Sequence, residues 1–470
     1  MNTASAMNAW KHRFTGPAGI LQVLRVALPL MISTGTFSLV LFIDRTLLLW
    51  YDGSAMSASM AAGNLFWALI CLPFGLASMT GAFVAQYVGA GQQEKIGRLL
   101  WQSVWFALGT APFFLILAVL APWMFRASNQ PPDLIALESM YLRILLVGAV
   151  GSVLDTALSG FFSGTERTQT IMWCSIATAA MNVVLDVGLV FGIGPLPELG
   201  IVGAGIASAI CFWFKAILFA ALIWYQADES LYGFRCGRVF DFPLLKRLVF
   251  YGLPAGLQFV VESGGFTLIV LQIGSLGDIP LRATTMAINF NMIAFIPLIG
   301  LSVATSVLVG RHLTQSGPAL AQQVVWSALS LALTYSLAWT AIYLLVPDTL
   351  LSLYRMGNID SGSEASLALA RGLLGFVAMY VLFDATQLIL AGALRGAGDT
   401  WFVLLGTTAC SATALSIGHY FEPSDTALRW WWWAITSWVW MLAVTMLLRF
   451  IQGRWRSIDM IGKRDVDLLP

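Results

Sequence analysis

Charged side chains are scarce in this sequence of 470 residues, and the two signs are nearly balanced. Asp, Glu, Lys and Arg make up 10% of the chain, with 25 basic and 24 acidic residues and only 3 histidines. Soluble proteins carry roughly 25% charged residues. The scarcity excludes an ordinary water-exposed surface, and the missing basic excess excludes a nucleic-acid binder that relies on a positive face.

Cysteine and histidine are also too scattered for metal or disulfide chemistry. Four cysteines, Cys71, Cys174, Cys211 and Cys410, lie inside apolar runs, and no two of the 5 cysteines have CxxC spacing. The histidines are far apart along the chain. We therefore expect no zinc site, no disulfide framework and no bound cofactor. A nucleophile–base pair is missing as well, so we do not expect an enzyme.

Apolar length is what the sequence has in abundance, with 58% hydrophobic residues and a mean hydropathy of +0.80. Apolar stretches of about 20 residues, enough for a helix to cross a bilayer, recur from end to end. We predict about twelve such spans, near 21–49, 58–85, 98–125, 136–162, 170–194, 200–225, 247–274, 283–310, 322–346, 367–391, 401–421 and 428–451. The expected fold is therefore an all-α polytopic membrane protein, because a barrel would show short alternating segments.

Most Lys and Arg residues, Arg395 among them, fall in the two termini and in every second loop between the predicted spans. Cytoplasmic loops carry such an excess. We therefore expect both termini in the cytoplasm and the chain in the inner membrane of a cell. Four consecutive tryptophans at 430–433 follow Arg429 and predict an interfacial belt at the outer end of the last span.

Three matching segments at similar offsets indicate an internal duplication. LSGFFSGTERTQ at 158–169 resembles LAGALRGAGDTW at 390–401, Leu28-Pro29 corresponds to Leu253-Pro254, and VGAG at 88–91 corresponds to VGRH at 309–312. We predict two pseudo-symmetric six-helix bundles around a central cleft, a plan that suits alternating access. The predicted parts are an N-terminal tail (1–20), an N-lobe (21–225), a linker (226–246), a C-lobe (247–451) and a C-terminal tail (452–470).

Acidic residues inside the predicted spans are the candidate functional groups, because a charge in the bilayer is costly. There are five of them: Asp44, Asp155, Asp186, Glu262 and Asp384. Lys215 and Arg45 are the obvious cations in those spans. An acid without a fixed cationic partner must be protonated, hydrated or bound to a cation, which is the chemistry of a proton- or sodium-coupled carrier.

Three of these acids have a suitable neighbour one helical turn away. Asn182 precedes Asp186 by four residues, Phe266 follows Glu262 by four, and Tyr380 precedes Asp384 by four, so each pair shares a helix face. Amide and phenol oxygens can join a carboxylate around a small cation, and a ring can add cation–π attraction. The case for Asp155 is weaker, because nearby serines can share a hydrated crevice with it.

At these residues the sequence resembles the multidrug and toxic compound extrusion (MATE) family along essentially its whole length. The resemblance is carried by LPLMISTGTFSLVLFID at 28–44, VAQYVGAGQ at 84–92, NVVLDVGLVFG at 182–192, PELGIVGAGIASA at 197–209, LPAGLQFVVESGGF at 253–266 and MYVLFDATQLILAGALRGAGDT at 379–400. It implies an antiporter of two six-helix lobes that exports amphiphilic organic cations or drugs against inward Na⁺ or H⁺.

The resemblance also implies roles for individual residues. Asp44, lying after the helix-bending Pro29, would act with Asn182 and Asp186 at an N-lobe coupling site. Glu262, Tyr380, Asp384 and the nearby Phe266 would form a C-lobe cation site like that of the NorM-like branch. Both sets are present, so the sequence leaves Na⁺ and H⁺ open. Asp155 has no counterpart among these positions, and Arg45 beside Asp44 departs from the pattern.

A lipid-linked oligosaccharide flippase of the same superfamily is the alternative function. Such a protein would need Lys or Arg in its cleft for the pyrophosphate, whereas these spans are rich in acids and poor in bases. The other expected partners are the lipid bilayer and the transported small molecules, with no nucleic acid, and the chain is expected to be a monomer.

Overall fold

The computed structural model describes residues 14–127, 132–193, 197–226, 228–352, 354, 361–423 and 427–462. Among them are 12 helical segments long and apolar enough to cross a membrane. The predicted all-α polytopic fold is therefore confirmed. The predicted tails 1–20 and 452–470 are described only from residue 14 and up to residue 462.

The helices of the first half, in chain order, are α1 (Ile20–Tyr51), α2 (Gly53–Ser78), α3 (Thr80–Gly89), α4 (Ile96–Gly109), α5 (Ala111–Ala127), α6 (Pro132–Gly164), α7 (Thr168–Phe191), α8 (Ile201–Gln226) and the short α9 (Glu229–Tyr232). Those of the second half are α10 (Phe242–Ser275), α11 (Asp278–Gln315), α12 (Pro318–Leu345), α13 (Pro347–Ser352), α14 (Ser361–Ala397), α15 (Thr400–Tyr420) and α16 (Ala427–Gln452). Short 3₁₀ turns lie at Gln93–Lys95, Cys236–Arg238 and Arg454–Ser457. Helices dominate because a chain in lipid must satisfy its backbone hydrogen bonds within each segment.

The chain forms two compact units, which are treated separately below. The N-terminal unit contains residues 32–257 and the described residues from 460 onward, and the C-terminal unit contains the described residues up to 31 and residues 258–459. The unit boundaries lie inside α1 and α10, just after their interior prolines, Pro29 and Pro254. The predicted lobes instead keep each of these helices whole.

Packing explains why these two helices are divided. In the C-terminal unit, Gly300 of α11 lies so close to α1 that a Cβ there would be 2.6 Å from the Met31 nitrogen. The Ser327 hydroxyl donates to the Ala18 carbonyl oxygen at 2.9 Å. In the N-terminal unit, a Cβ at Gly252 of α10 would lie 2.7 Å from the Leu76 side chain of α2.

The glycines of the two repeated segments have equivalent packing roles. On α6, a Cβ at Gly160 would lie 2.8 Å from the Gly81 nitrogen of α3, and one at Gly164 would lie 2.6 Å from the Val84 side chain. On α14, a Cβ at Gly392 would lie 2.6 Å from the Ser302 carbonyl oxygen of α11. The glycines thus permit close helix approach in both units, as small residues do in membrane proteins.

Each unit has its own apolar core. The core of the N-terminal unit is built from α1, α2, α4, α5, α6, α7 and α8 and includes Phe114 and Leu142. The core of the C-terminal unit includes Trp431 and Trp432, which are 1% and 0% exposed, and the Trp432 Nε1 donates to the Thr284 hydroxyl at 3.2 Å. The predicted interfacial belt is therefore wrong for these two tryptophans, because that face of α16 points into the helix bundle.

The predicted linker packs against the N-terminal unit. The buried Gln102 side chain of α4 donates to the Val239 carbonyl oxygen at 3.0 Å and accepts from the Asp241 backbone nitrogen at 3.0 Å. The Trp101 Nε1 donates to the Phe234 carbonyl oxygen at 2.8 Å. These bonds fix the polar connector against α4.

Replacing Gly396 by alanine should destabilise the protein. A Cβ at this position would clash with the Ser306 carbonyl oxygen of α11, and overpacking of this kind costs about 1–3 kcal/mol. Gly372, on the same helix, has nothing within 4 Å of its virtual Cβ. There, alanine should be neutral or stabilising by up to about 1 kcal/mol. Thermal unfolding in detergent compares the two variants, and equal melting temperatures would contradict the packing account.

Candidate functional site

Two carboxylates and one amide meet in the N-terminal unit, contributed by α1 and α7. With its amide nitrogen turned toward the acids, Asn182 donates to Asp44 Oδ1 at 3.0 Å and to Asp186 Oδ2 at 3.2 Å. All three side chains are buried, and Asp186 is 0% exposed. The predicted N-lobe residues therefore lie together, and they are called the Asp44–Asp186 cluster below.

A second contact aligns the two helices that carry this cluster. The Ser33 and Ser175 hydroxyls lie 2.6 Å apart. Ser33 precedes Asp44 by the same eleven residues that separate Ser175 from Asp186, about three turns of helix. The serines meet at one level and the acids meet eleven residues later on both helices, so α1 and α7 run in the same direction here. The equal spacing brings the two acids side by side.

The cluster has the composition of a site for a proton or a small cation. One amide group offers two N–H donors, and each carboxylate here accepts one of them. The remaining Asp186 Oδ1 is buried and has no hydrogen-bond partner within the described structure. Buried charge of one sign has to be compensated. A proton or a cation shared between the two carboxylates is the direct way to do so.

The C-terminal unit contains a second acidic site, formed by α10 and α14. Glu262 and Asp384 are close enough to interact electrostatically, and Asp384 also interacts with Tyr380. Asp384 and Tyr380 are buried, whereas Glu262 is half-buried. Phe266 lies one turn beyond Glu262 on α10 and packs against the core of this unit. Glu262, Tyr380 and Asp384 thus lie together in one region, called the Glu262–Asp384 site below, and Phe266 lies one turn further along α10.

Two glutamines that we did not predict belong to this site. Gln258 Nε2 donates to Glu262 Oε1 at 2.9 Å, and Gln387 Nε2 lies 3.5 Å from Asp384 Oδ1. The amide oxygens of both glutamines are buried and have no hydrogen-bond partner within the described structure. Carboxylate and amide oxygens are the ligands that hard cations prefer. Their spacing of three and four residues from the acids is the sequence signal that could have identified them.

Arg395 was also missed as a site residue, because the sequence places it among the loop charges. It lies near the end of α14, interacts electrostatically with Glu262, and its Nη2 lies 3.3 Å from the Ser302 hydroxyl. The guanidinium carbon is 5.9 Å from the centre of the Phe259 ring. Glu262 therefore has a cationic neighbour within its own unit.

Asp155 is not part of the Asp44–Asp186 cluster but forms an ion pair of its own. Its Oδ2 lies 3.3 Å from the Lys215 Nζ of α8. The sequence showed both residues inside spans but gave no sign that the two helices place them in contact. Pro29 lies inside α1, on the same helix as Asp44.

The described residues contain no group of three or more His, Cys, Asp or Glu side chains that could hold a metal ion. The acids instead occur in pairs with amides close by, and Tyr380 adds a phenol at the C-terminal site. Pairs of this kind can bind a proton or a small cation.

Membrane-spanning helices in two units, each with a buried acidic site, define a polytopic transport protein. The family model described as MatE matches residues 29–187 and 254–421. These ranges include the helices that carry both acidic sites. The chain belongs to the MatE family.

Curated relatives match over most of their length. The chain is 28% identical over 435 residues to the multidrug resistance protein NorM of Burkholderia vietnamiensis, covering 91% of this chain and 92% of that protein. It is 28% identical over 420 residues to the multidrug resistance protein PmpM of Pseudomonas aeruginosa, covering 87% and 85%.

Solved structures show the same fold. The crystal structure of a eukaryotic MATE transporter aligns with a TM-score of 0.81 at 18% identity, covering 93% of this chain and 96% of that chain. An outward-facing conformation of a multidrug resistance MATE family transporter aligns with a TM-score of 0.75 at 20% identity, covering 94% and 98%. The chain is thus a multi-pass membrane protein of this transporter family.

Asn182→Ala should destabilise the protein, because it removes the shared donor of two buried carboxylates. Leaving buried acceptors unsatisfied costs about 1–3 kcal/mol. Asn289→Ala is the matched control, since that exposed amide donates to the Tyr354 hydroxyl at 3.0 Å, and its loss should cost about 1 kcal/mol or less. Thermal unfolding in detergent provides the comparison. If both variants lost the same stability, Asn182 would not bridge the acids as described.

Proposed function

We propose that this protein is a secondary active multidrug antiporter that exports amphiphilic organic cations in exchange for inward Na⁺ or H⁺. The observation that carries the proposal is the pair of acidic sites, one in each unit. Each site contains carboxylate or amide oxygens that have no hydrogen-bond partner within the described structure. A buried carboxylate attracts any cation that can reach it, whether proton, metal ion or drug. The names of the relatives, which are multidrug resistance proteins, support the same function.

Competition for the carboxylates couples export of the drug to entry of the proton or sodium ion. When an acidic site is empty, its negative charge favours binding of an organic cation from the cytoplasmic side. When the acidic site is open to the outside of the cell, an entering proton or sodium ion neutralises it and releases the drug. Coupling requires each ligand to favour a different conformation, since a ligand with equal affinity for both shifts nothing.

The roles of individual residues follow from their contacts. Glu262 and Asp384 bind the coupling cation in the C-terminal unit, Tyr380 and the two glutamine amides supply neutral oxygens, and the Phe266 ring lies beside the bound ion. In the N-terminal unit, Asp44 and Asp186 share the ion and Asn182 holds them in register. Pro29 helps α1 bend as Asp44 is neutralised, because an interior proline removes one backbone hydrogen bond.

Placement in the membrane follows from the charge distribution. The excess of Lys and Arg in the termini and alternate loops favours a topology with both termini in the cytoplasm, and the bacterial relatives favour the inner membrane. We propose a monomer without a bound cofactor, because each acidic site is formed within a single chain.

The oligosaccharide flippase is the weaker candidate. It would need unpaired basic groups at its binding site to hold a pyrophosphate. Three basic side chains stand near these acids in the described structure, and each already has a carboxylate partner: Lys215 faces Asp155, Arg395 interacts with Glu262, and Arg45 interacts with Asp44. Their charge is therefore already compensated by an acid.

Transport of a fluorescent cationic dye in proteoliposomes tests the function. The sodium gradient and the pH gradient are imposed in separate experiments. We expect at least one of them to drive dye export, and we expect that export to stop when an ionophore collapses the gradient. Asp384→Asn should lower gradient-driven export at least about tenfold, since interactions with a buried charged group are worth about 1.5–3 kcal/mol. The asparagine has nearly the same shape but cannot release a proton or carry a negative charge.

Asp278→Asn is the matched control for that variant. Asp278 is exposed and pairs with Arg282 at 2.7 Å, so its charge should not affect export. Undiminished export by Asp384→Asn would show that the Glu262–Asp384 site does not bind the coupling ion. Export by the unaltered protein that ignores both gradients would instead contradict the antiport function as a whole.

A further inference from the structure

The ion pair between Asp155 and Lys215 is unused by the mechanism above. Its two atoms lie 3.3 Å apart between α6 and α8, and the Lys215 and Asp155 side chains are 23% and 12% exposed. Both residues lie well inside helices that cross the membrane. Desolvating two charges is expensive, and a buried pair of this kind contributes little net stability. A structural role alone is therefore a weak reason for its presence.

Asp155 has unused capacity to bind a donor. Its Oδ2 faces Lys215, whereas its Oδ1 is buried and has no hydrogen-bond partner within the described structure. A carboxylate with one oxygen paired and the other free can accept a proton on the free oxygen. The geometry thus resembles a binding site more than a saturated structural bridge.

A polar face of α8 connects this pair with the Asp44–Asp186 cluster. Cys211 lies one turn before Lys215, so the two side chains share one face of α8. Cys211 contacts the Asn182 side chain of the cluster, and its Sγ lies 3.8 Å from the Thr178 carbonyl oxygen. The same helix face therefore contacts the cluster at one turn and Asp155 at the next.

The ionisable groups facing Asp155 are few. Lys215 contributes from α8 and Cys174 from α7, where the thiol interacts electrostatically with both members of the pair. The Lys215 Nζ is also 5.8 Å from the centre of the Phe219 ring on its own helix. Among these groups Lys215 is the only basic side chain, so it is the neighbour that favours the charged form of Asp155.

We propose that Asp155 and Lys215 form a second proton-binding centre of the N-terminal unit, with Lys215 as the positioning residue. A proton from water binds the Asp155 carboxylate and makes it a neutral acid. Lys215 keeps its ammonium proton and loses its anionic partner. When the proton leaves to water, the ion pair forms again, so charge and protons balance over the cycle.

Protonation of Asp155 would couple proton binding to drug release by changing the charge of the N-terminal unit. The unpaired ammonium that remains after proton binding repels any other cation in the same unit, so it opposes retention of an organic cation. Binding of a proton at Asp155 and binding of the drug therefore disfavour each other. The inference rests on the proposed antiport function, but it concerns residues outside the two acidic sites described above.

Infrared spectroscopy of the purified protein tests whether Asp155 binds a proton. The spectrum of a protonated carboxyl group is recorded while pH is varied between about 5 and 9, and Asp155→Asn identifies which band belongs to Asp155. We expect an Asp155 band that appears as pH falls. Lys215→Met should move the midpoint of that band to higher pH by about one unit or more, because the cation that opposes protonation is gone. Lys215→Arg should restore a midpoint near that of the unaltered protein.

Arg282→Met is the matched control, since it breaks an exposed ion pair that lies outside both acidic sites. It should leave the Asp155 band unchanged. If no band sensitive to Asp155→Asn appears in this pH range, or if Lys215→Met leaves its midpoint in place, the proposal is overturned.

Dye export gives the second readout. The pH dependence of export should shift in Lys215→Met in the same direction as the infrared band and should stay unchanged in Arg282→Met. If Lys215→Met does not fold, the double variant Asp155→Asn/Lys215→Met, which removes both charges, is used instead. The pH dependence of export by this double variant must differ from that of the unaltered protein. An unchanged profile overturns the proposal even when gradient-driven export by the unaltered protein is normal.

Discussion

A carboxylate placed among apolar helices loses its hydration and must recover that free energy from nearby groups. The fold meets this constraint in three different ways. Asp44 and Asp186 share the amide of Asn182, Asp155 faces a lysine, and Glu262 and Asp384 rely on glutamine amides and a distant guanidinium. The three solutions differ in how much room they leave for an incoming cation.

Close helix packing keeps these groups at their distances. Glycines on α6 and α14 let the central helices of each unit approach their neighbours at backbone contact. Paired serines on α1 and α7 then fix which faces meet. A larger side chain in place of one of these glycines would push α6 away from α3, or α14 away from α11. The small residues of the repeated segments therefore hold together the helix bundles in which the acidic sites lie.

The sequence was sufficient to predict features that depend on one helix at a time. The spans, the acids inside them, and neighbours such as Asn182 and Tyr380 at helical spacing could all be read from periodicity and composition. These predictions succeeded because helix geometry in a bilayer is nearly fixed by the need to satisfy the backbone.

Features that depend on how helices face one another could not be predicted in the same way. No local pattern pairs Lys215 with Asp155, which is 60 residues earlier in the chain, and Arg395 looked like an ordinary loop charge. Trp431 and Trp432 belong to the apolar core because of the direction in which α16 faces. That Asp44 belongs with Asn182 and Asp186 was implied by family resemblance, and the structure supplies the distances.

Competition between the coupling ion and the drug for the same carboxylates is the central claim, and equilibrium binding measures it most directly. The dissociation constant of a fluorescent organic cation is determined for the purified protein in detergent while sodium concentration and pH are varied independently. The account predicts that the dissociation constant of the dye rises with the concentration of either Na⁺ or H⁺. Once that ion saturates its site, each tenfold rise in its concentration should raise the dissociation constant about tenfold. A dissociation constant that stays the same across the whole range of both ions would contradict it.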